Sequence, residues 1–276
     1  MAEIAVVTGA CGGLGSEICR HLAGRGLDVV LVDRTAAKSQ AFADTLRSAY
    51  PARTFASYTV DLADRADVAR LAAELVAAYP GIAYLFNNAG VLTESLQFSR
   101  YGTELHFEVN TLAPLALVDG LTPALEAARG TVLNTSAGLA SNVKTLALDE
   151  LVKPASFSKL FGPYARSKAA LNVLTAALGR ERAGRGVLVR AADPGPTRTV
   201  LTKGAGTPLW MRPFYPLLPG PAANAKKLVD VAMEPRWRGR TGIFVSGGKA
   251  VALAPALAQP AFQDDLLRAC RERLKA

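Results

Sequence analysis

Apolar runs of strand length alternate along this chain with longer stretches whose apolar residues recur at helical spacing. Ile4 to Val7 is followed by Leu14 to Leu22, Val29 to Val32 by Ala36 to Ala49, and Phe55 to Val60 by Val68 to Ala78. The order continues with Tyr84 to Phe86, a helical pattern from Glu104 to Ala128, Val132 to Leu133, a helix around Tyr164 to Arg182, and Val187 to Ala191. Short apolar strands alternating with helices predict a doubly wound parallel sheet with helices on both faces, here as a single α/β domain over residues 1–276. Leu201 to Pro221 breaks the alternation, carrying five prolines together with Trp210, Met211, Phe214 and Tyr215. Such proline density disfavours helix and strand alike and leaves either a packed surface loop or a substrate lid near 200–221. A helix at Ala222 to Met233, a strand at Gly242 to Val245 and an amphipathic end from Phe262 to Leu274 complete the pattern.

Composition narrows the picture. Half of the 276 residues are apolar, enough for a sizeable core, yet no apolar run reaches the roughly 18 residues of a membrane span. Met1 to Ile4 leads into a strand without a signal-peptide layout, so a soluble, cytoplasmic protein is expected. Cys11, Cys19 and Cys270 lack metal-ligand or redox-pair spacing, which suits a reducing compartment, and with only two histidines no metal site is expected. A net charge of +9 suits nucleic acid, anionic lipid or a phosphate-bearing cofactor. The basic residues are scattered, without the aromatic-interleaved stripe of a nucleic-acid module, and only the cofactor finds support elsewhere in the chain.

The turn after the first strand reads Thr8-Gly9-Ala10-Cys11-Gly12-Gly13-Leu14-Gly15 and opens directly into a helix. Gly9, Gly13 and Gly15, with Leu14 between the last two, allow a tight turn and close approach of a pyrophosphate to the helix N-terminus, as in a Rossmann-type nucleotide fold. Asp33 ends the second strand where a carboxylate would accept both hydroxyls of an adenosine ribose, a helix or turn cap being the alternative. That charge repels a 2′-phosphate and favours NAD over NADP, whereas Arg34 beside it offers to stack on adenine or pair with the phosphate. Asp61-Leu62, ending the third strand, offers a carboxylate to the adenine amino group or a cap to the next helix. Tyr164 and Lys168 share one helix face, and an ammonium beside a phenol draws its pKa from about 10 towards the working pH of a general acid/base. Taken alone, that spacing more often marks an ordinary surface helix.

Taken together, Thr8 to Gly15, Asn87-Asn88-Ala89-Gly90, Tyr164-x-x-x-Lys168 and Pro194-Gly195, each at a strand end, resemble the short-chain dehydrogenase/reductase family from Ile4 to about Val245. The stretch Tyr101 to Asn110 and the long segment before Tyr164 are most similar to its retinol-dehydrogenase-like branch. The resemblance implies that Tyr164 exchanges a proton with the substrate oxygen while the nicotinamide exchanges a hydride with the carbonyl carbon. It also implies that Lys168 holds the nicotinamide ribose and lowers the tyrosine pKa, and that Asn110 holds a water linking Lys168 to solvent. Asn88, Ala89 and Gly90 would line the nicotinamide ribose, and Pro194, Gly195, Thr197 and Thr199 the carboxamide and pyrophosphate.

One departure stands out, because the second serine of the family's pair after the fifth strand, which polarises the carbonyl, is replaced here by Ala137. Ser136 is the best candidate for a replacement hydroxyl, with Ser141 or a shifted loop as other sources. Between Ser136 and Tyr164 lie 27 residues, an insertion suited to a pocket wall. The implied activity is an NAD(P)-dependent alcohol dehydrogenase or carbonyl reductase acting on a bulky, largely apolar small molecule. Ala137 leaves two alternatives, a nucleotide-binding regulator without turnover and a double-bond reductase. Pairing through the helices that contain Asn110 and Tyr164 implies a homodimer or homotetramer, unless Phe262 to Leu274 covers that surface.

Overall fold

The computed structural model describes residues 2–199, 203–204 and 206–276. The first half is regular: β1 (Ile4–Thr8), α1 (Gly13–Gly24), β2 (Asp28–Asp33), α2 (Ala36–Ala49), β3 (Phe55–Thr59), α3 (Arg65–Ala78) and β4 (Tyr84–Asn87). Then come α4 (Leu105–Phe107), α5 (Ala113–Gly120), α6 (Thr122–Ala128), β5 (Thr131–Thr135), α7 (Leu148–Val152), α8 (Pro163–Ala183) and β6 (Leu188–Ala192). The chain ends with α9 (Pro221–Met233), β7 (Ile243–Ser246), β8 (Lys249–Val251) and α10 (Pro260–Lys275).

All strands belong to one sheet in the order β3-β2-β1-β4-β5-β6-β7-β8, and every pairing is parallel except β7 with β8. Successive strand residues point to opposite faces. Val6, Val30, Leu85, Val132 and Val189 therefore pack on one side with α3, α5, α8 and α10, while Ala5, Val7, Val29, Leu31, Phe86 and Leu133 pack on the other with α1, α2 and α9. Burial on both faces explains why these strands are continuously apolar. The order reverses between β1 and β4, and the carboxyl ends of the strands on either side of that point open into one crevice, the usual ligand position of such sheets.

The long helix expected over Glu104 to Ala128 is instead α4, a π-helical turn over Glu108–Leu112, α5 and α6. Pro114 has no N–H to close an α-turn onto the Asn110 carbonyl, and the Ala113 N–H bonds the Glu108 carbonyl one residue further back. Pro123 then starts α6 just after the break at Leu121. A second difference is β8, joined to β7 through Gly247 and Gly248, both with positive φ (58° and 76°).

Leu209–Leu217 winds as 3₁₀ turns with Pro213 and Pro216 inside, in keeping with a segment poor in both helix and strand propensity. Leu201 and the side chain of Met211 lie outside the described residues. α10 buries Leu266, Leu267 and Cys270 against the α8 side of the sheet, and its Arg271 bridges Asp119 of α5 (2.8 Å) and Glu181 of α8 (2.7 Å). Among the described residues no helix is long and apolar enough to cross a membrane.

Candidate active site

The end of the crevice expected to hold a nucleotide is built largely from backbone. Gly9 has φ 63°, and a Cβ there would stand 3.0 Å from the Ala89 Cα; a Cβ on Gly15 would lie 2.0 Å from the Gly9 carbonyl oxygen. Gly12 is the N-cap of α1 and no side chain caps that helix, so its first N–H groups and positive dipole end are left to an external anion. Thr199 lies over the same turn, with its Cγ2 3.1 Å from where a Gly13 Cβ would be, and Leu14 faces the adjoining cavity. The Asp33 carboxylate accepts the Cys11 N–H (2.9 Å) and the Arg34 N–H (2.8 Å), which fixes it beside the glycine turn with lone pairs to spare. It does not cap α2, whose N-cap is Thr35. Burial, reinforced by the Asp33 charge, pushes the Cys11 thiol up to about 11, so this cysteine stays protonated at neutral pH.

Asp61 is exposed and accepts the Ala63 N–H (2.9 Å), forming a local turn; the cap of α3 is Asp64, which accepts from Ala66. Leu62 is half-buried against the core.

Thr8 stitches β1 to β4. Its hydroxyl oxygen receives the N–H groups of Asn88 (3.0 Å) and Ala89 (3.1 Å), while the Asn88 side-chain amide donates to the Thr8 carbonyl (3.0 Å). This places Asn88 and Gly90 in the wall of a cavity of about 600 Å³ that also receives Thr135, Ser136, Tyr164, Lys168, Pro194, Gly195, Thr197 and Thr199. Asn110, on the π turn, uses its side chain to accept the Val91 N–H (2.8 Å) and to donate to the Val91 carbonyl (3.2 Å) and the Ser167 hydroxyl (3.3 Å). It therefore joins the β4 loop to α8, and both its Oδ1 and the Lys168 Nζ lie beside Gly90. Thr197 donates to the Gly195 carbonyl (2.8 Å) and accepts from Asn224 (2.8 Å), which pins the turn after β6.

The expected lowering of the tyrosine pKa does not occur among the protein's own groups. Burial, and after it the negative charge of Asp193, pushes the Tyr164 phenol up to about 12. Burial pushes Lys168 down to about 8, and its ammonium donates to the Thr135 carbonyl (2.8 Å) rather than to the phenol. Helical spacing puts the two side chains on one face without joining them, and in a poorly solvated site each favours its neutral form.

At the end of β5 the Ser136 and Thr135 hydroxyls are both buried without a hydrogen-bond partner, and both residues border the cavity. Ala137 adds only a methyl group there. Ser141 is exposed on the following 3₁₀ turn and is absent from the cavity wall, so Ser136 remains the better candidate donor. The insertion after it forms α7 and a tight turn in which Leu160 has φ 65°, a conformation costing about 1–2 kcal/mol for a residue with a Cβ. That turn delivers Leu160 and Phe161 to the cavity, facing Trp210, Phe214 and Leu218.

Two features here escaped the sequence. Asp193 reaches the cavity from the end of β6, directly before Pro194-Gly195. His106 stands edge-on to Tyr164, ring centroids 5.9 Å apart, between Glu104 (2.6 Å) and the Thr93 N–H (3.0 Å). Because Nε2 accepts from Thr93, Nδ1 carries the proton given to Glu104. The site thus unites a buried phenol, an ammonium, two unsatisfied hydroxyls and an uncapped helix start, a set that fits a nicotinamide dinucleotide.

The family described as short chain dehydrogenase matches residues 3–148. Human retinol dehydrogenase 13 is 28% identical over 91% of this chain and 78% of its own length. Galactitol 2-dehydrogenase (L-tagatose-forming) of Cereibacter sphaeroides is 34% identical over 72% of each chain. Among solved structures, a protein from Beutenbergia cavernae assigned as an NAD(P)-dependent gluconate 5-dehydrogenase, with NADP bound, superposes with a TM-score of 0.71 at 25% identity, over 94% of this chain and 98% of that one.

Proposed function

The chain belongs to the short-chain dehydrogenase/reductase family, in its retinol-dehydrogenase-like branch, and we propose that it interconverts an alcohol and a carbonyl on a bulky, largely apolar small molecule with Tyr164 as the acid/base. It is an NAD(P)-dependent enzyme. The observation that carries the proposal is the meeting of Tyr164, Lys168 and Ser136, whose buried hydroxyl has no partner, around one cavity that adjoins the glycine turn. A nicotinamide dinucleotide bound there would supply the hydride donor or acceptor and, when oxidised, a positive charge.

The remaining chemistry rests on this chain. Tyr164, held protonated by burial, donates to the oxygen of a carbonyl; in the reverse direction it takes the alcohol proton. Lys168 hydrogen-bonds the nicotinamide ribose, and Asn110 fixes the loop that carries Gly90 against α8 and holds the water that reaches Lys168. Ser136 donates to the substrate oxygen in place of the hydroxyl that Ala137 lacks. Gly9, Gly13, Leu14, Gly15, Thr197 and Thr199 receive the pyrophosphate, while Asn88, Ala89, Gly90, Pro194 and Gly195 surround the nicotinamide. Asp33 would hold the adenosine ribose, which would favour NAD over NADP, and Arg34 and Asp61-Leu62 would bind the adenine. Leu160, Phe161, Trp210, Phe214 and Leu218 support an apolar substrate, with the 200–221 segment as its lid. Three free thiols support a cytoplasmic location. α10 lies over α5 and α8, so a homodimer or homotetramer would have to pair through another face.

Ala137 favours a second reading, reduction of an activated double bond, which needs the proton of Tyr164 but no hydroxyl to polarise a carbonyl. A panel of alcohols, ketones and activated alkenes, run with the parent and Ser136→Ala, decides between them. Oxidation of alcohols that falls about 10²-fold in Ser136→Ala supports the first reading. Turnover confined to alkenes and unchanged in that variant supports the second, and cofactor binding with no turnover of any member would leave a nucleotide-binding protein without this activity.

A further inference from the structure

Asp193 lies where β6 ends, half-buried in the cavity that holds Tyr164. One carboxylate oxygen accepts the Gly195 N–H (2.8 Å) and the other accepts the Ser246 hydroxyl (2.9 Å). A carboxylate offers about four acceptor positions, so about two remain unused. Among the described residues no lysine, arginine or histidine forms an ion pair with it, and the Lys168 ammonium donates to the Thr135 carbonyl instead (2.8 Å). Gly138 packs closely against the group: a Cβ there would come within 2.9 Å of Oδ2, so only a glycine leaves the carboxylate its place. The Asp193 charge also reaches Tyr164, where it opposes formation of the phenolate. A negative charge near the proton-exchanging group works against base catalysis, and a bound molecule that donates to its unused acceptor positions offsets that effect.

We propose that Asp193 is a specificity-determining residue that accepts a hydrogen bond from a hydroxyl or ammonium group on the substrate, on the carbon next to the one that reacts. The substrate class is then an alcohol or carbonyl with a mostly apolar body and one adjacent polar donor, a vicinal diol, an amino alcohol or the corresponding ketone. Leu160, Phe161 and Trp210 take the apolar body while Asp193 takes the donor. A site built to pair with such a group rejects the analogue that lacks it, because the carboxylate is then covered and left unpaired. This inference rests on the alcohol–carbonyl reading of the cavity.

The test uses 1-phenylethanol, 1-phenylethane-1,2-diol and 2-amino-1-phenylethanol with the parent and Asp193→Asn, which has the same shape and keeps partners for Gly195 and Ser246. Oxidation is followed with NAD and with NADP, and binding of the three compounds to the protein with cofactor is followed by calorimetry. The parent is expected to favour the diol or the amino alcohol over the plain alcohol by about tenfold or more in kcat/KM and in affinity. Asp193→Asn should lose that preference by weakening the binding of the donor-bearing compounds, with the calorimetric affinity of the plain alcohol kept within about threefold. A preference for the diol alone identifies a hydroxyl donor, and one for the amino alcohol alone an ammonium. Equal treatment of all three by the parent, a preference that survives in Asp193→Asn, or a variant that weakens all three alike would overturn the proposal, the last showing a purely structural group. Preferential binding without turnover would uphold Asp193 and contradict the alcohol–carbonyl reading, which keeps the two failures apart.

Discussion

The two ends of the crevice are built by different means. At the nucleotide end, Gly9, Gly15, the uncapped start of α1 and the Thr8 stitch are backbone features set by strand and turn geometry, and Asp33 is tied to that backbone through two N–H groups. At the substrate end the walls are side chains, Leu160 and Phe161 from one irregular segment and Trp210 and Phe214 from another, the last two more than half exposed. A site made of backbone tolerates almost no variation, whereas a wall of side chains on irregular segments changes freely on an unchanged scaffold. The nucleotide end therefore speaks for the family and the substrate end for the individual enzyme.

Substitutions that strike one end and spare the other should divide along this line. The largest effect is expected for Gly15→Ala, whose Cβ would press on the Gly9 carbonyl; overpacking of about 1–3 kcal/mol should weaken NADH binding about tenfold to hundredfold, read by nicotinamide fluorescence. Asp33→Ala should weaken NADH about tenfold and leave NADPH unchanged or tighter, erasing the preference. Lys168 brings a pH signature. Its pKa of about 8 means that the ammonium is present below that pH and lost above it, so NADH affinity should fall as pH rises through about 8, and Lys168→Met should lack the inflection. The smallest effect is expected for Trp210→Ala, which should raise KM for a bulky apolar substrate a few-fold, about 1 kcal/mol, with NADH affinity intact. Loss of NADH binding in Trp210→Ala would break the division between the two ends.

Much of the scaffold was legible because central parallel strands, buried on both faces, must be continuously apolar. β1 to β6 fall within about two residues of their apolar runs. The helix expected over Glu104 to Ala128 failed because hydrophobic spacing does not register a missing donor. Pro114, four residues past Asn110, was the signal for the π turn that displays the site's asparagine. β8 is short and lies at the sheet edge, but Gly247-Gly248 between two runs was a readable hairpin turn. The pairing of Tyr164 with Lys168 was visible, yet the direction of the tyrosine shift was not, since burial and the charge of Asp193 come from residues distant in sequence. Asp193 and His106 were hidden for the same reason: only the fold brings the end of β6 and the start of α4 to Tyr164.

The central claim, that Tyr164 performs the proton transfer on a nucleotide site built independently of it, is tested most directly by Tyr164→Phe, with NADH affinity and turnover measured on one preparation. The ring remains and the hydroxyl is lost, so NADH affinity should stay within about twofold while kcat falls about 10³-fold or more. Turnover at the parent rate would contradict the assignment of Tyr164, and loss of NADH binding along with turnover would contradict the independence of the two ends.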